Sequence, residues 1–114
     1  MTTANDTNNN YLLVMTTTPG SITAKKVANE LVESGVAACV QVMPQAYSVF
    51  RWKGRIEHEE EHILLIKTSA ASYQAVEATI KTHHPYEVPE IVALPITGGM
   101  PEYLKWLDQT VPGQ

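Results

Sequence analysis

The sequence predicts an α+β domain in the order β-α-β-β-α-β, and three observations carry that prediction. Two unbroken apolar runs, Tyr11 to Met15 and Ile63 to Ile66, have the length and character of strands buried on both faces. Two other segments place apolar residues at helical spacing: Ala24, Val27, Ala28, Leu31 and Val32 in one, Tyr73, Val76 and Ile80 in the other. Between them, Lys53-Gly54 is a tight-turn signal joining two extended stretches into a hairpin.

The first strand is Tyr11 to Met15 with its Thr16-Thr17-Thr18 extension, broken by Pro19-Gly20. Ser21 then reads as the N-cap of the first helix, and Gly35 as its close. Val36 to Met43 reads as the second strand, interrupted by Pro44 and resuming from Ala46 to Lys53, so Pro44 marks either an edge or a bulge. The third strand, Arg55 to Lys67, is unusually long; its distal half is polar, with Glu57, Glu59 and Glu61 on one face. Thr68 or Ser69 is the expected cap of the second helix, which Pro85 ends by His84 because the residue before proline is driven out of helical geometry. Val88 to Ile96 is the fourth strand, where Pro95 favours an edge position, and a last short helix starts at Pro101 with Tyr103, Leu104 and Leu107 at helical spacing.

This order is the split βαβ of ferredoxin-like folds, an antiparallel sheet with both crossover helices on one face and a hairpin extending beyond it. The other sheet face is left bare. A face open to water alternates with polar residues, yet the first strand and the Ile63 to Ile66 segment do not. A second copy of the chain is therefore the expected cover, giving a homo-oligomer.

A chain of 114 residues, 44% of them hydrophobic, with a formal net charge of -4, fits a single domain expected over residues 11–111. Residues 1–10 read as a disordered polar arm without the features of a signal peptide, and 112–114 as a tail. The acidic balance, and no basic cluster longer than Lys25-Lys26, argue against a nucleic-acid partner. No apolar run is long enough for a membrane-spanning helix. The lone Cys39 cannot form an intramolecular disulfide and suits a reducing cytoplasm. No Walker loop, dinucleotide fingerprint or nucleophile elbow is present, so no enzymatic role is expected.

Several motifs stand in a fixed order: Thr17 to Pro19, Ala37 to Val40, Trp52 before the turn, Glu61, Ile66-Lys67-Thr68, the run His83 to Glu90, and Tyr103-Leu104 with Trp106. Together they resemble the CutA family, from Tyr11 to Leu107. The resemblance implies a ferredoxin-like fold, a tightly packed trimer, a cytoplasmic location, binding of copper or another divalent ion, and a part in metal tolerance. Some family members carry a cysteine, regarded as a copper ligand, where this chain has Thr16, and a threonine hydroxyl is a poor copper ligand.

What carries over as metal ligands is His83 and His84, since neutral imidazole suits copper, zinc and nickel, and Glu87 or Glu90 can add a carboxylate. Against this, adjacent helical residues project about 100° apart, and the same rings can serve a helix C-terminus and an interface. Cys39, among Ala37, Ala38 and Val40, reads as core packing rather than a reactive thiol. Trp52, Glu61, Lys67, Tyr86 and Glu90 are candidates for a ligand cleft, which the resemblance places between subunits. Glu61, Lys67, His84 and Tyr86 suggest a small anionic ligand, by analogy with trimeric sensors of the PII type. The sequence thus admits three roles: metal tolerance, small-ligand sensing at a cleft, and a trimeric structural module.

Overall fold

The computed structural model describes residues 10–111; the expected polar arm, apart from Asn10, and the tail at 112–114 lie outside the described residues. Four strands and three α-helices follow in order: β1 (Tyr11–Thr18), α1 (Ser21–Glu33), β2 (Cys39–Trp52), β3 (Arg55–Ser69), α2 (Tyr73–His83), β4 (Ile91–Pro95) and α3 (Pro101–Thr110). The sheet is antiparallel throughout, in the spatial order β2-β3-β1-β4. This is the α+β ferredoxin-like arrangement expected, and both proline-bearing strands, β2 and β4, lie at its edges.

Strand alternation sorts the residues of the sheet. Val14, Leu64 and Ile66 point to the face covered by α1 and α2, where Ala24, Val27, Leu31, Val76 and Ile80 complete a core that excludes water. The opposite face carries Leu13, Met15, Ile63 and Leu65, with Met43, Val92 and Leu94 exposed around them. That face is not wholly bare within the chain, as the sequence reading had it. The last helix, α3, packs on it through Leu107, against Ala38, Val111, Tyr11 and Tyr103, and Asp108 accepts a 2.7 Å hydrogen bond from the Tyr11 hydroxyl.

Helix α1 closes as expected around Gly35, whose φ of +82° suits glycine, with Gly35 N–H bonded to the Val32 carbonyl and Val36 N–H to that of Leu31. Ala37 N–H also uses the Leu31 carbonyl, so this closure occupies 36–37 and β2 begins only at Cys39. At the N-terminus the cap position is Gly20 rather than Ser21, which is already helical. Neither Thr68 nor Ser69 caps α2: both belong to β3, the Thr68 hydroxyl donates to the Val36 carbonyl at 2.6 Å, and a 3-10 turn, Ala70–Ser72, leads into the helix. At its far end α2 stops at His83, and His84 is extended ahead of Pro85. Strand β4 starts at Ile91, opposite Thr16, rather than at Val88, and before it His84 bonds the Thr17 carbonyl near the end of β1. No helix among the described residues is long and apolar enough to span a membrane.

Thr16 faces the helix-covered core beside Val14; its hydroxyl is fully buried and has no hydrogen-bond partner. An unsatisfied buried hydroxyl costs about 1–3 kcal/mol, so Thr16→Val, which keeps the shape, is expected to raise stability by about 1 kcal/mol. Urea denaturation checks this: unchanged or lower stability would show that the hydroxyl is satisfied in solution.

Candidate functional site

The hairpin of β2 and β3 builds one wall of a cleft. Met43 is opposite Ile63 and Ala46 opposite Glu61, so β2 holds one more residue than its partner across this interval. The extra residue is accommodated at Pro44-Gln45, where Gln45 adopts a φ of +68°. A bulge of this kind inverts the alternation of the strand beyond it. Before it, odd-numbered residues such as Gln41 and Met43 share the face of Leu65 and Ile63. After it, Ala46, Ser48 and Phe50 stand beside Glu61, Glu59 and Glu57, and Trp52 beside Arg55. At the tip, positive φ at both Lys53 and Gly54 makes the tight turn expected.

The second wall is the segment after α2, and His84 holds it. Its Nδ1 accepts from the Tyr86 backbone N–H at 3.1 Å, which leaves the proton on Nε2, and Nε2–H donates to the Thr17 carbonyl at 2.6 Å. The imidazole is thereby fixed as one neutral tautomer, 8% exposed, with its ring centroid 4.7 Å from that of Tyr86. Tyr86 then reaches across to the hairpin, where its hydroxyl donates to Glu61 Oε2 at 3.0 Å. Burial, the bond to Glu61 and the nearby charges of Glu61 and Glu59 push the Tyr86 phenol up to about 12.

Between the walls lies a cavity of about 740 Å³. Its lining includes Phe50, Trp52 and Tyr86, together with Glu57, Glu59, Glu61, Glu87 and Glu90, and no lysine or arginine. Of the cleft residues expected from the sequence, Trp52, Glu61, Tyr86 and Glu90 are therefore brought together. Lys67 is not: its ammonium donates to Gln41 Oε1 at 3.1 Å and sits 5.7 Å from the Tyr103 ring, near α3. Without it, an acidic wall repels the anionic ligand anticipated from sequence. Phe50, Ser48, Glu57 and Glu59 were not picked out as cleft residues, and the bulge at Pro44 was the signal that would have placed them.

The paired histidines diverge. His83, in the last turn of α2, has Nε2 4.0 Å from Glu30 Oε2 on α1, both side chains partly exposed. His84 has both nitrogens committed to the backbone, so within one chain no lone pair of that ring is free for an ion. Among the described residues no group of three or more histidine, cysteine, aspartate and glutamate side chains is arranged to hold a metal. A closed high-affinity centre therefore does not fit the donors of a single chain, and Thr16, buried on the helix-covered face, offers no thiol.

The family model for the CutA1 divalent ion tolerance protein matches residues 12–110. A CutA homolog from Xenopus laevis is 45% identical over 96 residues, 84% of this chain and 64% of that protein, so the chain spans less than two thirds of this relative. A divalent-cation tolerance protein CutA from Thermus thermophilus is 43% identical over 95 residues, 83% of this chain and 92% of its own. Among solved structures, CutA1 from the psychrotrophic bacterium Shewanella sp. SIB1 superposes with a TM-score of 0.89 at 39% identity, covering 92% of this chain and 98% of that one.

Two measurements test the geometry of the wall. The Tyr86 phenol is raised from an unfolded value near 10, so its contribution to stability is fully present below about pH 10 and is lost as pH rises through about 12. The bond to Asp108 and burial also raise Tyr11, and burial and the bond to Glu77 raise Tyr73, so absorbance titration of phenolate should show several delayed tyrosines, of which Tyr86→Phe removes the last to ionise. His84→Ala leaves the Thr17 carbonyl and the Tyr86 N–H without their partner and should cost about 2 kcal/mol in denaturant unfolding. His83→Ala should cost less than about 1 kcal/mol, because its contact with Glu30 is long and partly exposed.

Proposed function

The chain belongs to the CutA1 divalent ion tolerance family, and from that premise we propose that it acts as a homotrimer in the tolerance of divalent metal ions. The observation that carries this reading is the family match over residues 12–110, almost the whole described chain. In this reading copper or a similar ion is cargo met weakly at His83, whose imidazole is not committed to the backbone and has Glu30 as the neighbouring oxygen donor. A nitrogen and oxygen donor set of this kind suits Cu(II) and Zn(II) better than Cu(I), which favours sulfur. His84 contributes by holding the segment that follows α2.

The trimer is supported by the sheet face that α3 leaves open. Met43, Val92 and Leu94 are each between 44% and 49% exposed there, beside the half-buried Leu13, Met15, Ile63 and Leu65. Copies sharing that surface would remove an apolar band from water, at about 25 cal/mol per Å² buried. We place the protein in the cytoplasm, where the free Cys39 stays reduced, and assign it no catalytic step.

Calorimetric titration of the metal-free protein with Cu(II) and Zn(II) tests the ion contact. Weak binding is expected, reduced about tenfold in His83→Ala, equivalent to about 1.4 kcal/mol; affinity unchanged in that variant would remove His83 from the reading. For the assembly, the unfolding temperature should rise with protein concentration, and the sedimentation mass should be three times that of the chain. A concentration-independent transition with monomeric mass would sink the trimer.

A further inference from the structure

We draw no further inference here: the strongest candidate, the face of the distal β2-β3 hairpin turned away from the cleft, where Tyr47, Val49 and Ile56 stay exposed around His58, carries nothing because nothing in the structure shows what covers it.

Discussion

The cleft exists because β2 carries one residue more than β3 between Met43 and Ala46. A strand has a side-chain period of two, so a single added residue exchanges every side chain beyond it between faces. Without the bulge, Tyr47 would stand opposite Glu59, Val49 opposite Glu57 and Arg51 opposite Arg55. With it, Ser48, Phe50 and Trp52 take those positions, while Tyr47 turns to the other side and bonds His58 Nδ1 at 2.7 Å. Pro44 suits this point on an edge strand, since it lacks the N–H that a regular ladder needs.

The hairpin supplies one wall, and a neutral histidine supplies the other. His84 sits where Pro85 forces the chain out of α2, and its two nitrogens join the Thr17 carbonyl at the end of β1 to the Tyr86 N–H that follows. Tyr86 is carried over the sheet edge to Glu61, linking residues 25 positions apart through one 3.0 Å bond. The same commitment separates the two histidines chemically: His83 keeps an imidazole facing Glu30, and His84 becomes part of the scaffold. In the proposed reading, with Thr16 in place of a cysteine, the ion contact at His83 and Glu30 rests on nitrogen and oxygen donors, which suits weak contact better than sequestration.

Charge and apolar surface are segregated along the molecule. The distal hairpin and residues 85–90 concentrate carboxylates, whereas Lys67 is drawn away to Gln41 and the Tyr103 ring under α3. Between these regions the open sheet face keeps Met43, Val92 and Leu94 partly in water. Helix α3 covers one end of that face through Leu107 and Val111 and leaves the remainder to an association the proposed trimer would supply. A long hairpin projecting past the sheet suits the same arrangement, because its edge can pair with a neighbour instead of remaining unsatisfied.

The sequence by itself determined the elements and their order, because alternation, helical spacing and the Gly35, Gly54 and Pro85 signals are local consequences of backbone sterics. It also marked Pro44 as an edge or a bulge and Pro95 as an edge position, since a missing N–H is tolerated at such points. It marked Trp52, Glu61, Tyr86 and Glu90 as members of one site, through family resemblance rather than through pattern. Tertiary structure decided what local rules do not contain: that the bulge puts Phe50 with the glutamates, that Lys67 leaves them, that α3 folds back over the open face, and that one of two adjacent histidines is spent on the backbone. Each of these depends on which distant acceptor or ring is within reach after the sheet has formed. A side chain's spacing along the chain specifies its direction only within its own element, and partners such as Thr17 with His84, 67 residues apart, are chosen by packing.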